Sequence, residues 1–205
     1  MRRFASDQLV VATHNRGKLE EIAALLSPYG IALSSNADHG LPEPAETETT
    51  FVGNARIKAQ AATAATGLPA LADDSGLEIE ALDGAPGVLT ADWAETGNGR
   101  DFGVAMARAH DLLVASEKEK PWRARFCCTL VLAWPDGHDE VFEGFCEGQI
   151  VWPGRGDRGH GYDPVFQPSG HLITFGEMDR WEKNQMSHRA DAFAKLVVGC
   201  FAERG

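Results

Sequence analysis

Hydrophobic and polar positions along the chain switch repeatedly between two periods. Leu9 to Ala12 is an unbroken apolar run suited to a buried strand, and Leu19, Ile22, Ala23, Leu25 and Leu26 then recur at helical spacing as far as Ser27-Pro28. Strand, polar loop, helix is the prediction. Residues 34–50 have no period and are rich in Ser, Glu, Thr and Pro, which predicts a loop with at most a short edge strand. From Phe51 the pattern is helical and Ala-rich to Thr66, where Gly67 supplies the stop. Ala70 to Ala72 predicts a strand that empties into Asp73-Asp74-Ser75-Gly76. Phe102 to Val114 reads as a helix. Arg123 to Trp134 alternates, Pro135-Asp136-Gly137 is turn chemistry, and Val141 to Val151 alternates back, which predicts a hairpin. With a loop of Pro135 to His138, Cys127 faces Cys146 across it. A glycine-rich loop over 154–161, a short strand near Val165-Phe166 and a helix from about Ser187 to Phe201 follow. Helices interleaved with strands and a long hairpin predict an α/β protein with a mixed sheet. No repeat or linker divides residues 1–205, so one domain is expected.

Composition narrows the class. The 43 % hydrophobic content of 205 residues is that of a chain with a real core. With 19 Lys plus Arg against 30 Asp plus Glu the formal charge is −11, opposite to that of a protein that coats nucleic acid. Cys127, Cys128, Cys146 and Cys200 show no CxxC pair and no metal spacing, which suits reduced thiols. The apolar run after the basic start is too short for a signal sequence, and no stretch approaches the ~20 apolar residues of a membrane span. The expectation is a cytoplasmic protein that binds neither membrane nor nucleic acid.

Certain residues break local rules. Thr13-His14-Asn15-Arg16-Gly17-Lys18 joins a buried strand to a helix, so its N–H groups and the helix N-terminus offer an anion site. Lys18 opposes the helix dipole there, at a cost of ~0.3–1 kcal/mol that a phosphate would reverse; the alternative is a plain turn with a solvated lysine. Lys58 falls in the same helical stripe as Phe51, Ala55 and Ala62, with Asn54 beside it, and either meets an anion or snorkels to the rim. Asp73 and Asp74 end an apolar strand, where carboxylates serve a metal or a general base, or simply close a turn. If the chain is extended there they point to opposite faces, and only one need enter a site. Glu46 is a possible second oxygen ligand in an acidic loop.

Gly154 to Gly159 matches G-x-G-x-x-G, but Tyr162-Asp163-Pro164 follows where a dinucleotide fingerprint requires a helix. A flexible loop ending in His160-Gly161-Tyr162-Asp163 remains, able to close on a ligand, stack a ring on a base and read ring N–H groups with a carboxylate. Ser187 is placed to cap the last helix, with His188 and Arg189 in its first turn. Lys18, Lys58, Lys183 and Arg189 thus collect in a chain with only six lysines, as around one anion. Carboxylates able to supply Mg²⁺ suit a nucleoside triphosphate.

Taken together, Thr13 to Lys18, Glu46-Thr47, Thr50-Phe51, Asn54-Ala55, Ala72 to Leu77, Gly84 to Gly87, Gly161 to Pro164, Glu182-Lys183 and Ser187 to Arg189 resemble the inosine triphosphate pyrophosphatase family, in family order. The resemblance implies a mixed, twisted sheet flanked by helices, two lobes with an active-site cleft between them, Mg²⁺ dependence and a homodimer. It implies hydrolysis of noncanonical purine nucleoside triphosphates (ITP, dITP, XTP) to monophosphate and pyrophosphate. Glu46 and Asp74 would hold the metal, and Asp74 would also be the general base. Thr13 to Lys18, Lys58, Lys183 and Arg189 would handle phosphates, while Ser75, His160 to Asp163, His188 and Arg189 line the substrate. His160 stands where the family often has Phe, and Asp92 where it often has Arg. The rival readings are a pyrophosphatase for modified pyrimidine nucleotides and a non-catalytic nucleotide sensor.

Overall fold

The computed structural model describes residues 1–201 and contains β1 (Gln8–Val11), α1 (Arg16–Leu26), β2 (Ala32–Ser35), α2 (Phe51–Thr66), β3 (Ala70–Ile79), β4 (Pro86–Gly87), β5 (Glu95–Thr96), β6 (Gly99–Arg100), α3 (Phe102–Ala115), β7 (Trp122–Ala133), β8 (Asp139–Ile150), β9 (Phe166–Pro168), α4 (Arg180–Met186) and α5 (His188–Cys200). The main sheet has the order β2-β1-β3-β7-β8-β9, with β4 against β3, and β5 and β6 form a separate ribbon. β1 is parallel to β2 and β3, whereas β3–β4 and β8–β9 are antiparallel, so the sheet is mixed as expected. The chain divides into two compact units, one built from Met1–Asp74, Thr129–Glu143 and the described part of Ala192–Gly205, the other from Ser75–Cys128 and Gly144–Asp191.

In the first unit, α2 lays Ala55, Ala59 and Ala62 on Ala70 and Ala72 of β3 and on Val131 and Ala133 of β7. Alanine at these positions lets helix and sheet approach closely. Thr50 caps the helix by accepting from the Gly53 N–H, and Gly67 ends it at φ +68°, where a residue with a Cβ would be strained. β1 pairs with β3 only through Val10↔Ala70 and Val11↔Leu71. β3 therefore runs on past the end of β1, and β2 and β3 lie on opposite sides of β1. That is a topological switch point, where loops diverge and ligands find room.

Of the two readings of the acidic stretch, the extended one holds and the turn does not. β3 continues through Asp73, Asp74 and Ser75 to Ile79, because Leu77 and Ile79 give it a second buried stretch in the core of the other unit. Being extended, it sends Ala70, Ala72 and Asp74 toward α2 and Asp73 to the other side.

The second unit packs α3 (Ala105, Ala109, Leu113) on one face of β3, β7 and β8, with Phe126, Phe166 and Phe175 at its centre, ring centroids 4.6 and 5.1 Å apart. The hairpin is observed, with a shorter loop than predicted. The Trp134 N–H donates to the His138 carbonyl at 2.9 Å, the Gly137 N–H donates to Trp134 O at 3.0 Å, and Gly137 has φ +87°. This is a three-residue loop whose last position needs a left-handed conformation. The one-residue change moves Cys146 to the face of Phe126, and Cys127 does not share its cluster. All four cysteines are free and buried. α4, too short to show a period, was not predicted; Asp179 caps it by accepting from the Glu182 N–H.

Candidate active site

In the first unit the site is built where β1, α2 and β3 meet. Thr13 to Lys18 form the turn after β1. The Asn15 side chain accepts from the Lys18 N–H, the Asn15 N–H donates to Thr13 Oγ1 at 3.0 Å, and His14 Nε2 lies 2.8 Å from Leu41 O. Arg16 and Gly17 open α1, where N–H groups have no carbonyl of the helix to reach, so they remain suited to an anion. The Arg16 guanidinium is exposed and pairs with Glu20. Lys18 reaches Asp73 across the strand, which settles the role of that carboxylate: it holds the lysine.

On the other face of β3, Lys58 Nζ lies 3.0 Å from Glu46 Oε1 and 3.0 Å from Asp74 Oδ1. Lys58 does not snorkel. Burial works against its charge, but Asp74 and Glu46 more than offset that and hold its pKa above the ordinary value. For Asp74 the balance runs the other way: burial, aided by the charge of Glu46, outweighs Lys58 and Lys18 and raises its carboxyl. A raised carboxylate is a better proton acceptor near neutral pH. Asp74 Oδ2 is buried with no hydrogen-bond partner among the described residues. An acceptor left orphaned beside a second carboxylate fits a hard divalent cation. No group of three or more His, Cys, Asp or Glu among the described residues could hold a metal by itself. Two carboxylates that leave the remaining positions to phosphate and water are what Mg²⁺ accepts.

Two positioning residues carried no assigned role in the sequence reading. Asn54 Oδ1 accepts from the Glu48 N–H at 3.0 Å and so fixes the loop that carries Glu46. Gly53 allows that approach, since a Cβ there would stand 2.5 Å from Glu48 Cβ. The readable signal was a polar residue in the buried stripe of α2, one turn before Lys58.

In the second unit, Asp163 Oδ2 accepts from Lys183 Nζ at 2.5 Å and from the His160 N–H at 2.8 Å. Gly159 and Gly161 adopt φ +76° and +68°, and a Cβ on Gly159 would overlap Asp163 Oδ2. The glycine-rich segment makes close contacts within its own unit. The Arg158 N–H donates to Gly176 O and the Arg155 N–H to Pro164 O, while a Cβ on Gly156 would stand 2.1 Å from Gly176 O. Its glycines permit close backbone contact. The Tyr162 ring is 1 % exposed and packs edge-on against Phe102, so it belongs to the core, whereas His160 is exposed. One Asp163 oxygen is thus engaged within the protein. His188 is buried and stacked on Phe126 at 5.0 Å, and Arg189 Nη2 lies 3.4 Å from Ser75 Oγ. Ser187 Oγ accepts from the Ala190 N–H, which bears out the cap on α5.

Comparisons with known proteins agree with this arrangement. The model of the Ham1 family matches residues 9–198. A Ruegeria pomeroyi protein named dITP/XTP pyrophosphatase is 66 % identical over 98 % of both chains, and one of the same name from Rhodospirillum centenum is 56 % identical over 98 % of both. The structure of a HAM1 protein from Coxiella burnetii superposes with TM-score 0.88 at 37 % identity, covering 93 % of this chain and 96 % of that one. The structure of a dITP/XTP pyrophosphatase from Mycobacterium abscessus gives 0.77 at 38 % identity, covering 93 % and 98 %. The resemblance read from the motifs and the mixed α/β fold it implied are both borne out, and this chain belongs to the Ham1 family.

Proposed function

We propose that this protein hydrolyses noncanonical purine nucleoside triphosphates, dITP and XTP among them, to the monophosphate and pyrophosphate. The substrate class follows from relatives named dITP/XTP pyrophosphatase over nearly the whole chain. The chemistry rests on one observation above the others: Asp74, raised by burial, keeps one oxygen unpartnered while Lys58 holds its other oxygen together with Glu46.

Asp74 takes the proton of a water as that water attacks the α-phosphorus, and the bond from phosphorus to the bridging oxygen breaks as pyrophosphate leaves. Lys58 keeps Glu46 and Asp74 at a fixed separation. Lys18, oriented by Asp73, and the N–H groups at the start of α1 balance charge on the phosphates, with Lys183 and Arg189 as further cations. Mg²⁺ held by Glu46 and Asp74 supplies charge neutralisation on the triphosphate when bound. His160 stacks on the base, and Ser75, Gly161, Tyr162, Asp163 and His188 shape the substrate site through backbone and packing. The enzyme works as a homodimer. Its free, buried thiols suit the cytoplasm, and among the described residues no helix is long and apolar enough to cross a membrane.

The test is a panel of dITP, XTP, ATP and a modified pyrimidine triphosphate, assayed for pyrophosphate with and without Mg²⁺. Release from dITP and XTP that needs Mg²⁺ is expected. Preference for the pyrimidine, or binding without turnover, would overturn the proposal.

A further inference from the structure

Glu46 and Asp74 already share a cation, and it belongs to the protein. Lys58 Nζ lies 3.0 Å from Glu46 Oε1 and 3.0 Å from Asp74 Oδ1, on a side chain only 8 % exposed. α2 fixes where that ammonium stands. Ala55, Ala59 and Ala62 of the same helix are packed on the sheet, and Asn54 accepts from the Glu48 N–H, two residues from Glu46. The ammonium therefore comes with the fold rather than with a ligand.

Charge decides what else can enter. Two carboxylates and one ammonium leave a single net negative charge at this point, and the neighbouring Lys18 is matched by Asp73. A divalent ion brought here meets an ammonium hydrogen-bonded to the same two carboxylates, where burial weakens screening by solvent. Asp74 Oδ2 remains, buried and with no hydrogen-bond partner among the described residues. That oxygen and the outer oxygen of Glu46 are a sparse ligand set for a hard cation. Among the described residues no group of three or more His, Cys, Asp or Glu supplements them. A triphosphate supplies what is missing, since it adds both oxygen ligands and negative charge.

We propose that Lys58 is an internal counter-cation that keeps metal out of the free enzyme, so that the metal ion enters together with the triphosphate. The proposal rests on the reading of Glu46 and Asp74 as metal ligands. Lys58 is on this account a positioning residue whose charge sets the order of binding. Removing the charge while keeping the stem should uncouple the two ligands and give a protein that takes up metal by itself.

Manganese serves as the probe for magnesium, and water-proton relaxation reports the ion held on the slowly tumbling protein. Wild type alone should bind it weakly. An uncleavable dITP analogue, with an imido bridge between the α- and β-phosphates, should strengthen binding at least about tenfold. Without any nucleotide, Lys58→Met should bind manganese at least about tenfold more tightly than wild type, a gain that losing a merely structural side chain would not produce. Lys58→Arg keeps the charge and should stay as weak as wild type. Circular dichroism checks folding; if Lys58→Met does not fold, Lys58→Gln, which still donates to a carboxylate, takes its place with the same expected gain. A neutral variant no tighter than wild type, an equal gain in Lys58→Arg, or a wild type that holds manganese as tightly alone as with the analogue would overturn the proposal. Glu46→Gln tests the metal reading separately. If the analogue recruits manganese to wild type but not to Glu46→Gln, that reading stands whatever the Lys58 variants show; equal recruitment by both overturns it.

Discussion

Lys58→Met keeps the length and the apolar stem of the side chain but removes an ammonium that lies 3.0 Å from both Glu46 and Asp74. The Lys58 and Asp74 side chains are 8 % and 10 % exposed and Glu46 is 36 % exposed, so solvent can take over for Glu46 but not for Asp74. Removing one partner of a buried pair costs about 3–5 kcal/mol; with Glu46 free to turn to water, about 3 kcal/mol is expected. Asp74 can escape that cost by taking a proton. Its carboxyl is already raised by burial, and loss of Lys58, the largest influence opposing that rise, raises it further. A carboxyl with a raised folded pKa contributes its full stability below its unfolded pKa, about 3.9, and loses it as pH rises through the folded value. The deficit relative to wild type must therefore grow with pH, from small near pH 4.5 to about 3 kcal/mol near pH 8. Wild-type Lys58, whose own pKa is raised, stays charged throughout that window. Urea unfolding of both proteins at three pH values, with a chelator present, measures the difference. A deficit of equal size at every pH would refute the reasoning, because it would place the loss in packing.

Asp74→Asn should lower kcat more than about 10²-fold while substrate still binds, and near-normal turnover would remove Asp74 as the base. Burial pushes the Cys127 thiol up to about 12 and those of Cys146 and Cys200 up to about 11, so alkylation of the folded protein at neutral pH should be slow and leave activity intact; rapid labelling with loss of activity would contradict this. His188→Ala and Arg189→Ala should narrow the preference for 6-oxo over 6-amino purines, since a donor facing a donor costs about 1–3 kcal/mol per buried group. An equal loss of kcat/KM on dITP, XTP and ATP would leave neither residue a part in base selection.

Local signals carried most of this molecule and failed where tertiary partners decide. α2 was legible to the residue, because Gly67 is a chemical stop and the Ala stripe from Phe51 is regular; the Thr50 cap appears only in the structure. The acidic stretch of β3 was not, since turn-forming residues there are overruled by pairing and by burial of Leu77 and Ile79 in a second core. The lysine on the apolar stripe of α2 pointed correctly to an anion, since Lys58 meets Glu46 and Asp74, whereas the pairing of Lys18 with Asp73 had no signal in the sequence. What one-dimensional spacing could not give was the close backbone packing of the glycine-rich segment. The composition of Gly154 to Gly161 does not show which partners its glycines approach; the structure places Gly156 against Gly176 and Gly159 against Asp163.

The central claim is that Asp74 directs water to the α-phosphorus, and reaction of dITP with Mg²⁺ in heavy-oxygen water tests it most directly. Phosphorus NMR should show deoxyinosine monophosphate and pyrophosphate as the first products, and mass spectrometry should find the heavy oxygen in the monophosphate alone. Label in pyrophosphate would mean attack at the β-phosphorus, and first appearance of orthophosphate with a nucleoside diphosphate would mean attack at the γ-phosphorus; either result contradicts the account.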